Sequence, residues 1–272
     1  NTFDGFLKNL KNVVCGTSFS RFFGLISEIS STNLLGASIF HDIFINCLKI
    51  PNLFRRFFAE GSFNQAFIPI YSDFEKENQS ASTREFLNSL SAALISFLFI
   101  FTILVLVFAP IFIFIFAPGF YFDPLKKDLS INILRIMFPY LALISLVAFA
   151  GGIQNSHKQF TIPAFTPVIF NLSLIIASIS IAPRYEIPIY ALAWSVFLAG
   201  LLQLLLQILP LWRINRLPVP KFNLNNEGLK KFLRLIIPAI LAGGIIQINL
   251  LVDTIFASLL ETGSPTWLYV SD

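Results

Sequence analysis

The sequence predicts an all-α polytopic membrane protein, with about seven transmembrane helices and the start of an eighth. Of its 272 residues, 56% are hydrophobic and only 12% are charged, whereas soluble domains carry about 25% charged residues. Long apolar stretches rich in phenylalanine alternate with short polar segments. The net charge of +4 comes from basic loops, which favours contact with membrane lipids and does not argue for nucleic acid.

The first predicted span is interrupted by charge, since Arg21 and Glu28 lie on one helix face, while its glycines suit close packing against another helix. Pro139 is expected to kink the fourth span. Residues 72–85 are predicted to form a hydrophilic loop. The predicted spans are residues 13–39, 42–71, 87–117, 131–154, 161–182, 189–212 and 232–260, with 263–272 beginning the eighth.

Lysine and arginine counts predict the orientation of the chain. Most basic loop residues fall before residue 13 and in 72–85, 155–160 and 213–231, which places the N-terminus in the cytoplasm. Lys126 and Lys127 fall on the opposite side. The expected organisation is a cytoplasmic N-terminus (1–12), a six-helix lobe (13–212), a basic cytoplasmic loop (213–231) and the start of a second lobe (232–272).

The second span carries a polar stripe. At about 100° per residue its members fall within an arc of about 120°, and Arg55 lies about 60° beyond the edge. Because charges at bilayer depth are costly, the stripe predicts the wall of a watery cavity. Pro51 and Gly61 predict that this helix is bent or broken. The stripe consists of Asp42, Asn46, Lys49, Asn52, Arg56 and Glu60.

Plainer alternatives remain open for these residues. The segment FRRFFAE (54–60) also fits an amphipathic helix on the cytoplasmic membrane surface, and Arg56 with Glu60 fits an ordinary i,i+4 pair. Asp253 and Asn249 in the seventh span are compatible with a helix–helix hydrogen bond, worth about 0.6–2 kcal/mol.

The sequence offers no catalytic constellation, because His41 and His157 stand alone and the two cysteines have no metal-ligand spacing. We therefore expect neither an enzyme nor a metal or cofactor. The intramembrane charges are mostly positive, and an arginine pair binds phosphate oxygens bidentately, so an anionic substrate is expected. Asp42 or Asp253 is a candidate for ion or proton coupling.

The stretch KIPNLFRRFFAEGSFNQAFIPIYSDF (49–74) resembles the signature of the MurJ/MviN family of lipid II flippases. The resemblance is collinear and covers nearly the whole chain after about residue 13. It extends through SRFFG (20–24), APGF (117–120), LRIMFPYLALISLVA (134–148), PAFTPVIFNLS (163–173) and PAILAGGIIQINLLVDTIFASLL (238–260).

The resemblance implies a lobe of the multidrug/oligosaccharidyl-lipid/polysaccharide exporter superfamily, in which two six-helix lobes enclose a central cavity. It implies a multi-pass protein of the bacterial cytoplasmic (inner) membrane that acts in peptidoglycan and cell wall biogenesis and hence in cell shape. The implied substrate is lipid II, undecaprenyl-pyrophosphate-linked disaccharide-pentapeptide, moved to the outer leaflet by alternating access.

The resemblance also implies roles for individual residues. Arg21, Arg55 and Arg56 match family positions, and we expect them to bind the pyrophosphate. The expected cavity and coupling charges are Glu28, Asp42, Glu60 and Asp253.

The chain departs from the family pattern in two places. Ser27-Glu28 stands where the family usually has an Arg-Asp pair, which removes one cavity cation. The chain ends in the eighth of the fourteen helices that the family has, so we expect a fragment or a truncated product whose full-length form has a second lobe. The alternatives are a flippase for another polyprenyl-linked saccharide, a related antiporter, or a non-functional truncated remnant.

Overall fold

The computed structural model describes residues 2–36, 38–58, 62–76 and 80–271, and this part of the chain contains helices and no strand. A π-helical turn (Ala177–Ile181) and a 3-10 turn (Ala182–Arg184) extend α9. The α-helices are α1 (Thr2–Leu35), α2 (Ile39–Phe58), α3 (Ser62–Lys76), α4 (Ser80–Val107), α5 (Ala109–Phe116), α6 (Pro118–Tyr121), α7 (Pro124–Met137), α8 (Tyr140–Ser156), α9 (Thr161–Ile176), α10 (Ile189–Arg213), α11 (Glu227–Leu259) and α12 (Ser264–Ser271).

Four helical segments in the described part of the chain are long and apolar enough to cross a membrane. The charges of the polar stripe keep α2 out of this set, as expected for a helix that faces a polar interior. The chain is therefore a multi-pass helical membrane protein, as predicted. The four segments are Ala81–Val107, Pro124–Ser156, Thr161–Arg184 and Ile189–Arg213.

Prolines divide two of the predicted spans. Pro139 separates α7 from α8, which confirms the predicted interruption of the fourth span. The third span, predicted as one helix, is two, because α4 ends just before Pro110 and α5 begins there. Pro51 lies inside α2, and α3 is a separate helix from Ser62 onward, with residues 59–61 outside the described part.

The predicted hydrophilic loop at 72–85 was too long. Helix α3 continues to Lys76 and α4 begins at Ser80, because the glutamate, lysine and arginine residues there have high helix propensity. Helices α1 and α11 likewise begin before the apolar part of their predicted spans. Asn226 caps α11 by accepting a hydrogen bond from the amide of Leu229 at 3.0 Å.

Helix α1 packs along α9, α8 packs against α10, and α3 packs against α11. Close approach of α1 and α9 depends on Gly16, whose missing Cβ would lie 3.0 Å from the Cβ of Ala164. Gly36 was also expected to serve packing but ends α1 instead, with φ at +61° and no atom near its Cβ position. The phenylalanine-rich sequence thus builds a bundle in which α2 contacts α1, α3, α7, α8, α10, α11 and α12.

Candidate functional site

A polar cavity of about 360 Å³, called here the main cavity, lies between α2, α3, α8, α9 and α10. Among the described residues that line it, Arg55 is the only one with a charged side chain. Arg55 and Asn52 come from α2, so at least this part of the helix faces the polar interior that the stripe predicted. The polar lining consists of Asn52, Arg55, Asn64, Asn155, Thr166, Asn171, Gln203 and Gln207.

One wall of the main cavity is built from hydrogen-bonded side chains, which we call the amide network (Gln154, Thr166, Gln203 and Gln207). Thr166, Gln203 and Gln207 line the cavity, and Gln154 bonds to Gln207. Gln154 Nε2 donates a hydrogen bond to Gln207 Oε1. Gln207 Nε2 donates to the hydroxyl of Thr166 at 2.9 Å, and Gln203 Nε2 donates to the backbone carbonyl of Thr166 at 2.9 Å. All these side chains are at most 4% exposed. The network joins α8, α9 and α10 into one rigid polar wall.

The amide network was not predicted from the sequence, although a signal was present. Gln203 and Gln207 are spaced i,i+4 and therefore share one face of a helix that is otherwise almost wholly apolar. Polar residues of this kind in membrane helices bond to other helices or line cavities.

A smaller pocket of about 170 Å³, the side pocket, lies between α1, α2 and α9. Glu28, Ser27 and His41 line it. Asn171 borders both the side pocket and the main cavity, and its Nδ2 donates to the backbone carbonyl of Ser20 at 3.1 Å. Ser27, which stands where the family pattern has arginine, donates to Asn171 Oδ1 at 3.4 Å.

The structure brings only some of the predicted site residues together. Arg55 lines the main cavity and Glu28 lines the adjacent side pocket. Arg21 on α1 and Asp253 on α11 are exposed and line neither space. The side chain of Arg56 is not among those described, and Glu60 lies outside the described residues.

Asp42 is fully buried and binds the start of α12. Its Oδ2 accepts a hydrogen bond from the amide of Gly263 at 2.7 Å, and its Oδ1 accepts from the amide and the hydroxyl of Thr266 at 3.1 and 2.7 Å. A carboxylate at a helix N-terminus satisfies free amides and complements the helix dipole. Asp42 therefore fastens α2 to the connection between α11 and α12 and does not line the main cavity.

Two further contacts hold this connection, which we call the α11–α12 corner (residues 258–266). Lys126 Nζ donates to the hydroxyl of Thr262 at 3.1 Å. The amide of Gly119 donates to Ser258 Oγ at 3.2 Å, and a Cβ on Gly119 would lie 1.8 Å from the carbonyl oxygen of Ser258. The corner is thus packed against α2, α6 and α7.

A polar cluster occupies the connections between helices. Tyr71 Oη lies 2.8 Å from His157 Nε2, and Arg216 forms an ion pair with Glu75 at 2.9 Å. Burial lowers the pKa of His157, with Glu75 acting in the opposite direction and Arg216 adding to the decrease. These contacts tie α3 to the loops that carry His157 and Arg216.

Within the described residues, no group of histidine, cysteine and acidic side chains is arranged to hold a metal ion.

Comparisons with known proteins agree with the resemblance. The family model described as lipid II flippase MurJ matches residues 31–272. A probable lipid II flippase MurJ from Buchnera aphidicola subsp. Acyrthosiphon pisum is 43% identical over 266 residues, which are 98% of this chain and 52% of the relative. The Haemophilus influenzae relative of that description is 38% identical, covering 94% of this chain and 52% of the relative. A lipid II flippase MurJ from Burkholderia cenocepacia is 35% identical, and the match covers 94% of this chain and 50% of the relative.

A solved structure, lipid II flippase MurJ in an inward closed conformation, superposes with a TM-score of 0.78. It is 26% identical and covers 95% of this chain and 53% of the solved one. This match confirms the predicted all-α polytopic fold. The chain spans about half the length of the curated relatives that it matches.

Proposed function

This chain belongs to the lipid II flippase MurJ family, and from that premise we propose that it supplies one lobe of a transporter for lipid II. The proposed substrate is undecaprenyl-pyrophosphate-linked disaccharide-pentapeptide, moved from the inner to the outer leaflet of the bacterial cytoplasmic membrane. Residues 13–212 would form the lobe, and residues 232–272 would begin the opposing one, with the N-terminus in the cytoplasm. The part of the relatives that this chain does not match would complete the opposite wall.

The observation that carries this proposal is the position of Arg55 in a polar cavity between apolar helices. Pyrophosphate, sugars and peptide cannot cross hydrocarbon without a polar lining. A guanidinium binds phosphate oxygens with two parallel hydrogen bonds, so Arg55 is the proposed pyrophosphate ligand. We assign Arg21 and Arg56 to the same task, as cations that reach the substrate when the opposing lobe closes over the cavity.

We assign the acidic residues to opening and coupling. Asp42 holds the α11–α12 corner in place, and alternating access requires that contacts between the two proposed lobes break in another state. Asp42 is therefore proposed as a contact that breaks during transport. Glu28 in the side pocket, Glu60 and Asp253 are the proposed coupling charges.

The test is complementation in a bacterium whose own lipid II flippase can be switched off. The protein is expressed from its complete gene, and the variants are Arg55→Ala and Arg55→Lys. We expect the unaltered protein to rescue growth, Arg55→Ala to fail, and Arg55→Lys to rescue partly, because lysine keeps the charge but loses bidentate geometry. Arg213→Ala is the control, since Arg213 is exposed at the end of α10.

Two results would contradict the proposal. Full rescue by Arg55→Ala, with membrane insertion verified, would remove the assigned role of Arg55. Failure of the unaltered protein to rescue, combined with rescue of a strain lacking a different undecaprenyl-linked saccharide transporter, would replace lipid II with that substrate.

A further inference from the structure

Two buried acceptors line the main cavity without a hydrogen-bond partner in the described part of the chain. They are Gln203 Oε1 on α10 and Asn64 Oδ1 on α3. Gln203 is 1% exposed, and one N–H of its amide donates to the carbonyl of Thr166, which sets the orientation of the amide. Its oxygen is an unpaired acceptor that a donor group of a ligand can satisfy.

Leaving such acceptors unpaired is costly, because a buried polar group without a partner loses its hydrogen bonds to water and gains none in return. Packing of α8, α9 and α10 requires no polar side chain at these positions, since methionine or leucine would fill the same volume. The amide network nevertheless holds Gln203 and Gln207 on Thr166. This arrangement fixes the orientation of the Gln203 amide within the wall of the cavity.

The chemistry of this wall differs from that of Arg55. An amide oxygen accepts hydrogen bonds but carries no net charge, so it repels phosphate oxygens and attracts hydroxyl or N–H donors. A saccharide bearing acylamino groups presents such donors without charge. Arg55 and the amide wall thus offer separate places in one cavity for an anion and for neutral polar groups.

We propose that Gln203 and Asn64, with Gln207 and Thr166 as positioning residues, form a subsite for the hydroxyl and acylamino groups of the saccharide carried by the lipid. This inference rests on the proposed function and deepens it. The subsite selects the sugar part of the ligand, while Arg55 binds the pyrophosphate that all polyprenyl carriers share.

The test measures binding of three probes to the whole protein in lipid nanodiscs. The probes are undecaprenyl pyrophosphate, its N-acetylated disaccharide derivative without peptide, and complete lipid II. We expect Gln203→Met to weaken both saccharide-bearing probes about tenfold, as for one lost hydrogen bond, and to leave undecaprenyl pyrophosphate unchanged. Arg55→Gln should weaken all three probes.

Asn64→Leu is a second, near-isosteric variant on a different helix, and it should show the same selectivity if Gln203→Met does not fold. Gln65→Met is the control, because Gln65 neighbours Asn64 in α3 but is exposed. Equal weakening of all probes by both Gln203→Met and Asn64→Leu, or no weakening, would overturn the subsite. Weakening of complete lipid II alone would also overturn it, by assigning these residues to the peptide.

The two proposals fail differently. If the unaltered protein binds lipid II and neither subsite variant changes its affinity, the subsite is wrong and the flippase assignment stands. If the unaltered protein binds a different undecaprenyl-linked saccharide in preference to lipid II, and Gln203→Met weakens that binding, the flippase assignment is wrong and the subsite stands.

Discussion

The carboxylate of Asp42 accepts both the amide and the hydroxyl of Thr266, at 3.1 and 2.7 Å, although the two residues lie on helices from opposite ends of the sequence. A third hydrogen bond comes from the amide of Gly263. Three donors on one buried carboxylate make this the most concentrated polar contact on the α11–α12 corner that the described residues show. Its removal should therefore be measurable.

We expect Asp42→Asn to lower the free energy of unfolding by about 1–3 kcal/mol, because one acceptor oxygen and the charge are lost while the donors of Thr266 and Gly263 remain buried. Hydrogen exchange at the amides of Gly263 and Thr266 should accelerate more than exchange elsewhere. Asp128→Asn on the exposed face of α7 is the control. Unchanged exchange at both amides would show that Asp42 does not hold the corner.

Gly119→Ala should open the same corner by steric means. The added Cβ would lie 1.8 Å from the carbonyl oxygen of Ser258, so backbone must move, at an expected cost of about 1–3 kcal/mol. Gly151→Ala in α8 is the matched control, since its Cβ would meet nothing closer than 3.7 Å and alanine favours helix. In thermal denaturation, Gly119→Ala should lower the Tm and Gly151→Ala should raise it. A Gly119→Ala protein as stable as the Gly151→Ala protein would contradict this packing.

The burial of His157 should make stability depend on pH. Burial holds the folded pKa of His157 below its ordinary value of about 6.5, so well above that pH the imidazole is neutral in both states and stability does not change. As pH falls below 6.5, the unfolded chain takes up the proton first, and stability decreases until the folded pKa is passed. His157→Asn should flatten this part of the pH–stability curve. A variant that retains the full acid dependence would assign it to other groups.

The Glu75–Arg216 ion pair should contribute little by itself. Both side chains are partly exposed, at 28% and 18%, and such pairs are worth about 0–1 kcal/mol. A double-mutant cycle with Glu75→Gln and Arg216→Gln should give a coupling energy in this range that decreases with added salt. A coupling that does not respond to salt would mean that the pair is effectively buried.

The fold class was predictable from the sequence because membrane helices are recognised by the length of their apolar stretches. The segment Ile189–Arg213 matches its predicted span almost residue for residue, since proline and arginine bound an uninterrupted apolar run. Helix starts in polar sequence were missed, as at Ser80 and Glu227, because hydropathy cannot distinguish a polar loop from the polar end of a helix.

The candidate site was predicted only in part. Periodicity placed Arg55 near a polar interior, and the structure puts it in the lining of the main cavity. The same periodicity assigned Asp42 to that interior, yet Asp42 faces the start of α12, because a helix face does not reveal which distant segment packs against it. The partners of Gln203 were equally invisible, since they come from a different helix.

The amide network has one further consequence, which concerns electrical work. Moving one elementary charge through a membrane potential of 100 mV changes the energy by about 2.3 kcal/mol, whereas moving a neutral side chain changes nothing. The wall formed by Gln154, Gln203 and Gln207 is neutral, so a rearrangement of these side chains does no work against the membrane potential. Any response of the described helices to voltage must come from charged groups such as Arg55 and Asp42.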